Sequence, residues 1–388
     1  MTMPATPASD AATLFPERRD LLKWTAALAG GTGVGIAAAR AQTTQSAPAA
    51  ATTTEPMAGG LRKGMVGFML AHEEFPVPEL VRIGALAAQA GFHLLATSDH
   101  LQPWQANEGH AGQAWVTMGA LGSAQAKSWM GTTVTCPTLR YNPAVVAEAF
   151  ASLSLLYPGR IFLGVGSGEA LNEQVATGEW PKWQERWDRL VEAIGIIRAL
   201  WTGQHVSQKG KYYNVDARLY DPPARPIPLL TAANGKKSMR LAGQYGDGLI
   251  TDPKSWKEHK AEWQAGARDA GKNPDEMPVL VEQYVVVGGK AEAEQAAELW
   301  RFGPKAFKSY FNIPDPARIE QRADAETPLE QVMEGWPMSG DPAPHIAKIR
   351  ELFDSGVTIV NIHAGQRDQR KVVEFYGEHV LPNIRQRA

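Results

Sequence analysis

Two side chains in this sequence are placed to exchange protons. His100 lies in Ser98-Asp99-His100-Leu101-Gln102-Pro103-Trp104, and Glu169 lies in Gly164-Val165-Gly166-Ser167-Gly168-Glu169-Ala170-Leu171-Asn172-Glu173. An imidazole with an ordinary pKa of about 6.5 can take a proton near neutrality. A carboxyl on an inserted loop can be shielded from water, which disfavours its charged form. A base and an acid on opposite sides of a bound organic cofactor are the equipment of hydride transfer. Plainer roles exist for each: a hydrogen-bonded structural histidine, a carboxylate capping a helix, loop-holding side chains at Asp99 and Asn172. The flanks of His100, Ser98-Asp99 before it and Trp104 after it, favour the chemical role.

Two other chemistries fit less well. Asp99, His100, Glu169 and His363 are metal-ligand types, but adjacent residues on a strand point to opposite faces, and no H-x-H or H-E-x-x-H spacing occurs. No resident metal is expected. A Ser/His/Asp triad would need a G-x-S-x-G elbow, and Gly166-Ser167-Gly168 is too short for one.

These residues need a scaffold. Apolar runs at Met65–Leu70, 93–97, 129–134, Ile161–Val165, 227–231, Gly248–Thr251, 278–287 and 357–363 read as buried parallel strands. Helical patterns separate them, at 78–90, 143–156, 184–201 and 368–382 among others. Strands alternating with helices in this way predict a (β/α)8 TIM barrel over 64–388, with insertions after strands four and seven at 166–182 and 301–341. A doubly wound sheet would carry a glycine-rich turn after its first strand, and Ala71-His72-Glu73-Glu74-Phe75-Pro76 has no glycine. In a barrel the polar residues following each strand converge on one mouth, the usual place for catalysis. The Trp180, Trp183 and Trp187 cluster reads as packing, although loop tryptophans would also suit an apolar mouth.

The 388 residues carry 39 Lys and Arg against 41 Asp and Glu, so no basic surface for nucleic acid is expected. The single cysteine, Cys136, excludes a disulfide framework within the chain. The first 41 residues hold Arg18-Arg19, an apolar run from Trp24 to Ala39, and Ala39-Arg40-Ala41, the order of a twin-arginine export signal. The run is shorter than the roughly 20 residues of a membrane span. Residues 42–63 read as a linker. Export by the twin-arginine machinery to the cell envelope or periplasmic space is therefore expected.

The two motifs given above, with Arg140-Tyr141-Asn142-Pro143-Ala144-Val145 and Ala242-Gly243-Gln244-Tyr245-Gly246-Asp247-Gly248, resemble the coenzyme F420-dependent glucose-6-phosphate dehydrogenases of the luciferase-like (β/α)8 superfamily. The resemblance runs from about Met65 to Arg385. It implies that His100 is the base for the hydroxyl proton and that Glu169 is the acid at the deazaflavin ring. It implies that Trp104 steadies substrate and cofactor, and that Glu73 is a carboxylate near the substrate. Asp99, Thr133, Val134 and Asn172 match positions that contact F420, with a non-proline cis bond at Thr133–Val134. Ala232, Ala233, Asn234 and Gly235 match the turn that meets the cofactor phosphate, at a helix N-terminus. A homodimer is also implied.

The chain departs from that pattern where sugar phosphates are held. Lys254 is displaced by one position, and Gln321 stands where a lysine is expected. Losing charge-assisted bonds to a dianion is costly. With the export signal, this resembles the exported branch of the family and implies oxidation of a secondary hydroxyl on a cell-envelope lipid, hydroxymycolic to ketomycolic acid. The alternatives are a sugar-phosphate or other small-alcohol dehydrogenase, an FMN-dependent luciferase-like monooxygenase, and a protein that binds F420 without catalysis.

Overall fold

The computed structural model describes residues 60–125 and 127–385. The expected export signal (1–41) and the expected linker up to residue 59 lie outside the described residues. Eight parallel strands close into a barrel: β1 (Met65–Leu70), β2 (Leu94–Thr97), β3 (Trp129–Thr132), β4 (Ile161–Val165), β7 (Leu229–Ala232), β8 (Gly248–Thr251), β9 (Val279–Val285) and β10 (Ile359–Ala364). β10 pairs with β1 from Met65↔Ile359 to Phe68↔Ile362 and seals the ring. Outside the barrel, β5 (Val206–Lys209) and β6 (Asn214–Ala217) form an antiparallel hairpin.

Helices fill the crossovers: α1 (Val77–Ala90), α2 (Ala114–Ala124), α3 (Pro143–Leu156), α4 (Ala170–Thr177), α5 (Trp183–Trp201), α6 (Lys236–Tyr245), α7 (Pro253–Asp269), α8 (Lys290–Leu299), α9 (Pro316–Glu326), α10 (Leu329–Val332), α11 (Pro342–Asp354), α12 (Gln369–Phe375) and α13 (Leu381–Arg385). Their starts are written in the sequence. Asn142 and Asp252 each precede a proline, and each side chain accepts a backbone N–H of the first turn, of Ala144 and Ser255. Gly91 ends α1 at φ 98°, a left-handed conformation that suits glycine.

The barrel axis is packed by Leu61, Met65, Met69, Leu94, Phe162, Leu230, Ile250, Leu280 and Ile359. Leu61 belongs to the stretch expected to be linker, yet it is fully buried, so the packed body begins at least three residues before 64. The Phe162 ring lies over Gly131, its register partner on the adjacent β3; a Cβ there would come within 2.4 Å of the ring.

The insertion after β4 is the short helix α4. The insertion after β9 holds α8, a π-helical turn at Ala306–Tyr310, α9 and α10. Both reach the catalytic end, since Ala170 N–H donates to the Phe311 carbonyl at 2.8 Å. Three further features differ from the expectation. The β5–β6 hairpin is new; its strands are too polar to signal burial. β3 stops at Thr132, so Thr133 and Val134 belong to the loop at the mouth. The last helix is interrupted by a π-helical turn at Tyr376–Val380.

Candidate active site

The strand ends bring His100, Glu73, Glu169, Asn172 and Trp104 together. Glu73 follows β1 and is buried. Its Oε2 accepts the Ser98 hydroxyl at 2.5 Å, and its Oε1 lies 3.4 Å from His100 Nε2. Burial works against charge on Glu73, but the facing His100 and the Ser98 hydroxyl outweigh it and hold its pKa below the usual carboxylate range. An ionised Glu73 accepts hydrogen bonds only. The network therefore assigns the ring proton of neutral His100 to Nε2, facing Glu73, which leaves Nδ1 as the nitrogen that changes state. Nδ1 has a partner ready for each state: the Asn172 Nδ2 donor at 3.3 Å and the Gln102 carbonyl at 3.2 Å.

Glu169 occupies the position that caps α4, but its side chain makes no cap bond. Its carboxylate is left at the mouth, where Asn172 Nδ2 donates to Oε2 at 3.4 Å. Trp104 packs against the base, with ring centroids 5.9 Å from His100. It stacks on Phe302 at 4.9 Å and meets the exposed Phe307 edge-on. Phe302 and Phe307 come from the insertion after β9, far away in sequence, and no motif announced them.

Asp99 is an anchor. Its Oδ2 accepts the Thr135 hydroxyl at 2.6 Å, and its Oδ1 accepts Arg140 and Tyr141, both at 3.1 Å. Arg140 also donates to the Asp99 carbonyl, and its own N–H goes to buried Glu173 at 2.7 Å. Burial pushes Glu173 up to about 7, against the pull of Arg140. This network fixes the loop after β2 from below, so the residue beside the base is spent on architecture.

Thr133–Val134 is a cis peptide bond between non-proline residues, as the resemblance implied. Ala232 ends β7, and Thr251 donates its hydroxyl to the Ala233 carbonyl at 2.7 Å, with Asn234 Oδ1 at 3.0 Å. Gly235 then starts α6. No acidic side chain sits in its first turn, Lys236 and Lys237 open it, and a Cβ on Gly235 would meet only Ser238 Oγ, at 3.7 Å. The Gly235 N–H donates to the Ser238 hydroxyl at 3.0 Å and Lys236 lies 3.3 Å from Glu262, so the following first-turn amides and the Lys237 ammonium are the groups that fit an anion.

Two buried acids were not singled out by sequence. Glu74 has neither carboxylate oxygen hydrogen-bonded, and burial pushes it up to about 8, with Arg367 opposing. Glu108 accepts the Gln105 N–H at 2.8 Å, and burial raises it far above the ordinary range. The acidic pair Glu73-Glu74 right after a strand was the available signal. His363, at the end of β10, is held by Glu282 at 2.5 Å and stacks on Tyr284.

The luciferase-like monooxygenase family model matches residues 46–358. The chain belongs to that family. It is 43% identical over 360 residues to the F420-dependent hydroxymycolic acid dehydrogenase of Mycobacterium tuberculosis, covering 92% of this chain and 95% of that protein. It is 39% identical over 332 residues to the F420-dependent glucose-6-phosphate dehydrogenase of Mycolicibacterium gilvum, covering 82% and 98%. Among solved structures, an F420-dependent secondary alcohol dehydrogenase in complex with an F420–acetone adduct superimposes with a TM-score of 0.79 at 32% identity, covering 83% of this chain and 99% of that one. The luciferase-like barrel thus accounts for the closed ring of strands.

Proposed function

We propose that this protein is an F420-dependent dehydrogenase that oxidises the secondary hydroxyl of a neutral, largely apolar alcohol. The observation that carries the reading is the joined constellation of Glu73, His100, Asn172 and Glu169 at the barrel mouth. The named relatives and the secondary alcohol dehydrogenase support the same cofactor and reaction.

F420, when bound, supplies a deazaflavin ring that accepts a hydride and a proton. The α6 N-terminus with Ala232–Gly235 would hold its phosphate, and Thr133–Val134 would lie along the ring. His100 Nδ1 takes the hydroxyl proton as the carbinol carbon gives up its hydride. The Glu73 carboxylate stabilises the imidazolium through Nε2–H, and the Gln102 carbonyl receives Nδ1–H. Glu169 would be the acid on the ring side. Trp104, backed by Phe302, keeps water from the base and holds the imidazole in place.

The substrate class follows from charge. Lys254 and Gln321 are exposed, and Arg322 is tied to Glu326. The carboxylate buried at the end of β1, Glu73, is held in its charged form and disfavours a phosphate dianion. The Trp104, Phe302 and Phe307 wall suits alkyl substituents. A cell-envelope lipid such as a hydroxymycolic acid, met after twin-arginine export, combines these features and is the substrate and place we infer. A sugar phosphate is the second reading, carried by the glucose-6-phosphate dehydrogenase relatives. The test is F420 reduction with secondary alcohols of increasing chain length beside glucose 6-phosphate. Rising kcat/KM with chain length supports the proposal, and preference for glucose 6-phosphate overturns it.

A further inference from the structure

We propose that Asn172 is the positioning residue that keeps the base nitrogen of His100 free of its proton in the resting enzyme and ties it to the Glu169 carboxylate. The inference rests on the acid–base reading given above and deepens it. The orientation of the Asn172 amide is dictated by its surroundings. The backbone N–H groups of Leu101 and Gln102 point at one of its side-chain atoms, at 2.8 and 3.4 Å, so that atom is the acceptor Oδ1. The other is therefore the NH2 group. It lies 3.3 Å from His100 Nδ1 and 3.4 Å from Glu169 Oε2, in a side chain that is 1% exposed.

Both neighbours accept a hydrogen bond at these atoms in their deprotonated forms, the imidazole lone pair and the carboxylate. One amide thus favours the proton-free state of the base, while the Glu169 carboxyl accepts it at Oε2 and is left able to carry its proton on Oε1. The Gln102 carbonyl, 3.2 Å from the same Nδ1, is the partner for the protonated ring. Taking the hydroxyl proton then exchanges Asn172 for Gln102 at Nδ1 while the ring stays where it is. Asn172 also holds that second partner in place, because Oδ1 clamps the Gln102 N–H and the Gln102 side chain donates to the Leu171 carbonyl at 3.0 Å.

The local chain geometry explains the reach. Asn172 is the third residue of α4 and its N–H bonds to the Glu169 carbonyl at 3.1 Å, so the two side chains share a helix face. Other charged or titratable groups act on one partner each: Glu73 and His72 on His100, and Glu173, Cys136 and Arg186 on Glu169. Among the described hydrogen bonds, the Asn172 amide touches both.

The test is Asn172→Asp in the full chain. The substitution keeps Oδ1 on Leu101 and Gln102 and puts a carboxylate oxygen where the donor was, which favours Nδ1–H. At saturating cofactor and alcohol, the acid limb of the kcat–pH profile should move up by about one pH unit or more. Turnover at the acid end should fall at least about tenfold and recover at alkaline pH. In the protein without cofactor, the 15N resonances of the His100 ring, identified by their loss in His100→Gln, should change from the neutral Nε2–H pattern to that of the doubly protonated imidazolium, since Glu73 still holds Nε2–H. Asn172→Ala, which deletes donor and clamp together, should move the limb in the same direction by less, and serves if the aspartate variant does not fold. A loss of turnover equal at every pH, with the ring pattern unchanged, would overturn the proposal and leave Asn172 a loop anchor. Full turnover in His100→Ala would instead overturn the acid–base reading, while the ring pattern would still report on Asn172.

Discussion

Relative to the parent, Glu74→Gln should gain stability as pH rises. Glu74 is 1% exposed, neither carboxylate oxygen has a hydrogen-bond partner, and burial raises it from 4.5 to about 8. In the folded chain this carboxyl keeps its proton until about pH 8, while in the unfolded chain it releases it near 4.5. Between those values the unfolded state binds fewer protons, so stability falls as pH rises. The slope is about 1.4 kcal/mol per pH unit, and the whole interval is worth about 5 kcal/mol. Glutamine keeps the size and never ionises, so the variant escapes this loss. Its own amide meets the same lack of partners, which costs roughly 1–3 kcal/mol at all pH values. The variant should therefore be equal to or less stable than the parent at pH 5 and more stable by pH 8. Urea unfolding at pH 5, 6, 7 and 8 measures the difference, and titrations common to both proteins cancel. A difference that does not change with pH would refute the reasoning, because it would mean that Arg367 keeps Glu74 ionised in the fold.

Other predictions follow from the same contacts. His100→Ala and Glu169→Gln should each lower kcat at least about 100-fold while F420 affinity, read by fluorescence quenching, changes little. Asp99→Asn should cost about 1–3 kcal/mol in thermal unfolding, since it removes the charge that faces the Arg140 side chain at 3.1 Å while the Asp99 carbonyl and Glu173 stay beside it; a loss under about 0.5 kcal/mol would contradict that. Gly131→Ala should destabilise by about 1–3 kcal/mol, measured the same way, because its Cβ would collide with the Phe162 ring.

Much of this architecture was legible in the sequence, and the physics says why. Buried parallel strands are apolar on both faces, so runs such as Met65–Leu70 and Ile161–Val165 stand out, and Asn142-Pro143 and Asp252-Pro253 announce helix starts through capping. The β5–β6 hairpin was not legible, because alternating exposed residues such as Lys209 and Asn214 carry no burial signal. Spacing along the chain could place His100, Glu169 and Asn172 at one mouth, because strand ends converge in a barrel. It could not show that one amide touches both others, that the Asp99 carboxylate is bonded by Thr135, Arg140 and Tyr141, or that Phe302 arrives from the insertion after β9 to back Trp104. Such contacts join residues far apart in sequence. Tryptophan enrichment drew attention to Trp180, Trp183 and Trp187, which pack: Trp187 lies in the core, and Trp180 covers the Arg186 guanidinium at 3.9 Å. The aromatic wall at the base is built instead by Trp104, Phe302 and Phe307.

The most direct test is anaerobic reduction of F420 by the full chain with a long-chain secondary alcohol, followed by the loss of the oxidised cofactor's absorbance and by ketone formation, with FMN and glucose 6-phosphate run alongside. The account predicts one ketone per F420 reduced, no reduction of FMN, little activity with glucose 6-phosphate, and loss of the signal in His100→Ala. Tight F420 binding without reduction by any alcohol, or reduction of FMN in place of F420, would contradict it.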